Sequence, residues 1–189
     1  AAPVGLCGSG VLDVVAQLYL AGVCDNRGRL REEHSRVRLI NEKRAFVLAD
    51  EEASGSGAAI VFTQDDIRNL QLAKAAIRAA TDILLDECGY TEADLGKVVI
   101  AGAFGNYIDV ASALAIGMLP DLPFNRFAQV GNAAGDGARF TLQSKAQRQL
   151  AVDIAARAQY FELASAPTFM KVFGKRMNFT ETTNIKNKD

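Results

Sequence analysis

The feature that most constrains the fold is a twice-repeated pattern, an apolar strand running into a glycine-rich loop that opens a helix. Lys97–Ala101 (KVVIA) enters Gly102-Ala103-Phe104-Gly105-Asn106, with a helix expected over about 110–117. Phe127–Val130 enters Gly131-Asn132-Ala133-Ala134-Gly135-Asp136-Gly137-Ala138 and another helix. A continuous apolar strand suits a sheet covered on both faces. Strand, loop and helix in succession argue for an α/β domain with helices packed on a sheet. Ligands in such sheets sit beyond the carboxyl ends of the strands.

The other elements follow from period and punctuation. Residues 9–21 carry a wide apolar helical stripe, with Ser9 as the expected N-cap and Gly22 as the stop. Residues 25–44 are polar and show no clear period. Ala45–Ala49 and Ala59–Phe62 read as short strands around a turn-rich loop. Thr63 is placed to cap a helix over 64–87, roughly 36 Å long, with Ile67, Leu70, Ile77 and Leu84 on one face. A helix is expected at 145–158, a last strand at Tyr160–Leu163 and a helix at about 166–174. The domain is expected to span 1–177, with 178–189 a frayed polar tail.

Composition narrows the function. The 189 residues carry a formal net charge of −1, so global charge makes no case for nucleic acid or an anionic membrane. No apolar run approaches about 18 residues and no signal peptide is visible. Three cysteines (Cys7, Cys24, Cys88) without a CxxC, and one histidine (His34), argue against a disulfide framework or a metal centre. They cannot supply the four thiolates of an iron–sulfur cluster. A reducing cytoplasm is the natural compartment.

Three loops are candidate sites. Gly5-Leu6-Cys7-Gly8-Ser9-Gly10 allows close backbone approach and offers free amides at a helix start, or is simply a tight turn. The 102–106 loop allows a flat ring or ribose to lie on the backbone, or serves helix–strand packing; Asn106 would bind a ligand or cap the next helix. Small residues at nearly every position from 131 to 138 fit helix packing better than a ligand. On the long helix Gln71, Lys74 and Arg78 form a polar stripe, and Lys74 either reaches water or points into a pocket. Cys7 is either an inert buried thiol or one activated by the helix start. His34 is expected at the surface. Asp13, Asp109 and Asp136 suit water, a metal ion or local capping equally, and no catalytic residue stands out.

Together the segments GLCGSGVLDVVAQL, TQDDIRNLQLAKAAI, VIAGAFGNYID and VGNAAGDGAR resemble, over about residues 4–165, the C-terminal half of the ATP-dependent reductive activators of corrinoid proteins. That family joins a plant-type [2Fe–2S] ferredoxin module to an actin-like ATPase domain of the sugar kinase, heat-shock chaperone and actin superfamily. The resemblance implies an actin-like (ribonuclease H-like) C-terminal subdomain, a sheet flanked by helices. It implies that Gly102, Ala103, Phe104, Gly105 and Asn106 form the adenosine-binding turn. Gln71 and Lys74 would lie beside adenine and ribose, Gly8, Ser9 and Gly10 would follow the second phosphate motif, and the NAAGDGA helix would be a connecting helix at a hinge.

The implied cofactors are ATP with Mg²⁺ and a [2Fe–2S] cluster on an N-terminal region. The implied partners are a corrinoid protein, the rest of the activator and a second copy. The chain opens Ala1-Ala2-Pro3 without Met, and the phosphate motifs and ferredoxin cysteines are absent from it. It is therefore expected to be a piece of a longer protein with no hydrolytic activity alone. The alternatives are a small-molecule kinase subdomain and a non-enzymatic docking or dimerisation module.

Overall fold

The computed structural model describes residues 1–102 and 104–180. Helix α1 (Gly8–Leu20) is followed by an antiparallel meander of β1 (Val37–Ile40), β2 (Lys43–Ala49) and β3 (Ile60–Thr63). The long helix α2 (Gln64–Glu87) leads to β4 (Val98–Ala101), α3 (Val110–Ala115) and β5 (Phe127–Gly131), then α4 (Ala133–Gln143), α5 (Lys145–Arg157) and α6 (Phe169–Arg176). Strands β4 and β5 pair in parallel, Val98 opposite Phe127.

Strand β1 lies in the stretch without a clear period. The β1–β2 hairpin turns on Asn41 and Glu42, both at positive φ (49° and 64°), the twist that a two-residue hairpin requires. Helix α1 begins one residue earlier than expected. Cys7, not Ser9, is its N-cap, and no side chain caps it. Helix α2 opens on a capping box: the Thr63 hydroxyl accepts from Asp66 N (3.1 Å) and the Asp66 carboxylate accepts from Thr63 N (2.8 Å). Asp109, not Asn106, caps α3, accepting from Ser112 N at 2.6 Å.

The core gathers α1 (Leu12, Val15, Ala16, Tyr19), the meander (Phe46, Phe62), Ile67 of α2, and Ala113, Ala115 and Ile116. Two expectations fail here. The stripe assigned to the α2 core leaves Ile77 and Leu84 exposed, while Gln71, Lys74 and Arg78 are buried. Helix α6 and the segment after it pack on that polar side, and the carbonyls of Met177 and Asn178, with those of Arg27 and Leu119, accept hydrogen bonds from it. No strand forms at Tyr160–Leu163; the chain there is irregular before a short 3₁₀ turn, Leu163–Ser165, and Tyr160 is exposed.

Residues 178–180, expected to begin a frayed tail, are docked. Phe179 is buried against Tyr19 with ring centroids 5.1 Å apart, and its N–H donates to Asn26 O at 2.8 Å. The Tyr19 hydroxyl donates to Thr180 O. The remaining tail residues, 181–189, lie outside the described residues. Helices α4 and α5 pack on each other and bury no side chain, leaving Leu142, Val152 and Ile154 more than half exposed.

Candidate functional site

The site is built at the carboxyl ends of β4 and β5. Gly102 (φ +98°) ends β4 and donates its N–H to Gly131 O at 2.6 Å; Gly131 (φ +66°) ends β5. Side chains adopt such angles at a cost, which is why glycine stands at both bends. A Cβ on Gly102 would meet nothing within 4 Å, so this backbone forms an open ledge.

The turn beyond it is fastened from β5. Gln129 Nε2 donates to Gly105 O (2.5 Å) and Ile108 O (2.8 Å). Gly105 is buried so tightly on β4 that a Cβ would stand 2.8 Å from Ile100 Cγ2. The Asn106 amide lies over Gly131, where a Cβ would stand 3.1 Å from its Nδ2. The second and third glycine loops are therefore one structure. Ala103 falls outside the described residues, and Phe104 is described only as the first residue of the 3₁₀ turn Phe104–Asn106. Sequence reasoning missed Gln129, although a polar residue inside the apolar strand FAQV was its signal.

Gln71 and Lys74 form a second group. Gln71 Nε2 donates both its hydrogens, to Arg27 O (3.1 Å) and Met177 O (3.0 Å), and Gly28 packs directly on its amide. Lys74, 1% exposed, donates to Asn178 O beneath the Phe179 ring. Burial, then the charges of Arg176 and Arg78, lower its pKa to about 7. Arg78 bonds Asp82 (2.9 Å), Leu119 O (2.8 Å) and Glu92, and Arg176 bonds the same Asp82 (2.5 Å). Lys74 does not reach the surface: the chain's own C-terminal segment covers it, and its ammonium borders an internal cavity.

Gly8, Ser9 and Gly10 form a third group at the start of α1. Cys7 is exposed, not buried, and its thiol pKa is lowered by the Ser9 hydroxyl (3.4 Å) and the Gly10 backbone. The inert, buried thiol is Cys24, pushed up to about 12 by burial. None of the described hydrogen bonds links one group to another. Asp13 Oδ1 is buried without a partner, and Asp136 pairs with Arg139 at 3.3 Å. His34 is half-buried against Phe46. Among the described residues no three His, Cys, Asp or Glu side chains cluster to hold a metal, and no helix is long and apolar enough to cross a membrane.

The family described as the C-terminal domain of RACo, the ASKHA domain, matches residues 1–188. The chain is 35% identical over 193 residues to the corrinoid activation enzyme RamQ of Eubacterium limosum, covering 97% of this chain and 32% of that protein. It is 30% identical over 115 residues to the [Co(II) methylated amine-specific corrinoid protein] reductase of Methanosarcina barkeri, covering 60% of this chain and 21% of that protein. A solved reductive activator for corrinoid, iron–sulfur protein superposes with a TM-score of 0.84 at 37% identity, over 92% of this chain and 28% of that one. The chain thus spans about a third or less of the length of these relatives.

Proposed function

The chain belongs to the family of the RACo C-terminal ASKHA domain, an actin-like α/β fold with sheets flanked by helices, and from that premise we propose that it is the adenosine-side part of an ATP-dependent reductive activator of a corrinoid protein. The observation that carries this reading is the open backbone ledge where β4 and β5 end, held rigid by Gln129. Under it, Gly102, Ala103, Phe104, Gly105 and Asn106, with Gly131, receive the adenosine of ATP. Exposed Asn106 is the polar group that orients it. Gly8, Ser9 and Gly10 stand on the phosphate side. Gln71 and Lys74 meet a nucleotide only if Met177–Thr180 is displaced.

The donor set sets a limit on this chain's share. Three cysteines, one of them buried, are too few for the four thiolates of a [2Fe–2S] cluster, and among the described residues no three His, Cys, Asp or Glu side chains cluster. Both belong, in this reading, to parts of the activator outside the chain. ATP supplies the free energy of hydrolysis; this chain's residues bind and orient its adenosine. Differential binding of the nucleotide states then shifts the conformation in which an electron passes from the cluster to a Co(II) corrinoid partner. The unburied α4–α5 hairpin faces the rest of the activator or a second copy.

Calorimetry of ADP and GDP with Mg²⁺, on the chain and on Asn106→Ala, tests the site. Adenine-selective binding weakened about tenfold by the substitution is expected, the loss of one hydrogen bond of about 1.4 kcal/mol. Binding indifferent to the base, or unchanged in the variant, overturns the assignment.

A further inference from the structure

Lys74 is the largest side chain fully withdrawn from solvent. An ammonium has three donors. Among the described residues it has one hydrogen-bond acceptor, Asn178 O, and forms no ion pair. The Phe179 ring, 5.5 Å from Nζ, attracts it from one side only.

The lysine opens on a cavity of about 220 Å³ between α2, α6, the turn at 117–121 and the C-terminal segment. Gly117 (φ +71°) borders it and leaves the room that the Thr180 hydroxyl occupies: a Cβ there would stand 2.4 Å from Thr180 Oγ1 and 3.7 Å from Lys74 Nζ. Lys74, Arg78, Lys175 and Arg176 line it against two acids, Glu92 and Asp121. Arg78 and Arg176 are committed to Asp82, and Glu92 to Arg78 and the Asp121 N–H (2.7 Å). Among the described residues neither lysine forms an ion pair, and the Glu92 and Asp121 carboxylates share the lining with them.

We propose that this cavity binds a small oxyanion of the phosphate class, received by Lys74 Nζ with Lys175 and the Thr180 hydroxyl. Size separates it from the adenosine ledge. Pockets for larger organic ligands run to about 300–1,000 Å³, so this one admits phosphate or sulfate and excludes a nucleotide. An anion supplies the acceptors that the ammonium lacks and offsets the two guanidiniums beside it. The proposal does not rest on the adenosine assignment. Lys74, at about 7, is charged below neutrality, so binding strengthens as pH falls through that value.

The test is inorganic phosphate added to the full chain, read by phosphorus line broadening and by thermal shift. Broadening and a raised melting temperature are expected, with affinity reduced more than about tenfold in Lys74→Met and about threefold in exposed Lys175→Ala. Far-UV circular dichroism checks that both variants fold. Sulfate, whose charge is constant near neutrality, should bind more tightly at about pH 6 than at about pH 8. A cavity filled only by water gives no response at tens of millimolar phosphate and overturns the proposal. So does phosphate acting equally on Lys74→Met, or ADP binding lost in that variant while phosphate binding persists.

Discussion

Lys74→Met should stabilise the chain in mildly acidic buffer, and the gain should fade as pH rises. Folding lowers the lysine from 10.5 to about 7. At about 1.4 kcal/mol per tenfold change in ionisation, holding the charge buried costs about 5 kcal/mol below pH 7. Methionine is unbranched like lysine, one atom shorter, and has no charge to desolvate. It forfeits the bond to Asn178 O, about 1–3 kcal/mol for an orphaned carbonyl, and the attraction to the Phe179 ring, about 0.5–2 kcal/mol. The balance runs from about zero to about 3.5 kcal/mol in favour of methionine at about pH 6.

Above pH 7 the folded chain has released a proton that the unfolded chain keeps up to 10.5. The unfolded state then binds more protons, so the parent chain gains stability as pH rises through that window, about 3 kcal/mol by about pH 9. That erases the advantage of the variant. Cys24, raised from 9.0 to about 12, works the other way above pH 9, but is common to both chains and cancels. Urea unfolding of both chains at about pH 6 and about pH 9, with midpoints and slopes compared, measures this directly. A variant less stable at the acid pH, or a difference independent of pH, refutes the reasoning.

Phe179→Ala should release the C-terminal segment before the core melts, because it removes the segment's buried apolar anchor and leaves hydrogen bonds that water can replace; NMR titration should then find Lys74 moved up from about 7 toward 10.5. Thr63→Ala removes the cap of α2 and should cost about 1 kcal/mol in urea unfolding, with an unchanged slope. Iodoacetamide at neutral pH should label exposed Cys7, whose pKa is lowered, and spare Cys24; peptide mass mapping reads both.

Much of this fold is written locally. The continuous apolar run at 98–101, the largely apolar run at 127–130, the Thr63 cap and the glycines that break the chain place β4, β5 and α2 within a residue or two. Each signal acts over a few neighbours, so no knowledge of the rest of the chain is needed. The glycine loops were legible for the same reason, since a bend at positive φ selects glycine wherever it occurs. Their union through Gln129 and Asn106 was not, because it depends on two strands lying side by side.

The buried face of α2 belongs to the other kind. Helical periodicity counts apolar side chains; it does not count the acceptors that distant segments bring. Gln71, Lys74 and Arg78 are buried because Met177, Asn178 and Leu119 present carbonyls to them across 41 to 106 residues of chain. The same blindness left Cys7 undecided between a buried and an activated thiol, and expected a frayed end where Phe179 is docked. Local pattern says what a segment prefers, but burial of a polar group is permitted only by its partners, and those are chosen when the chain closes on itself.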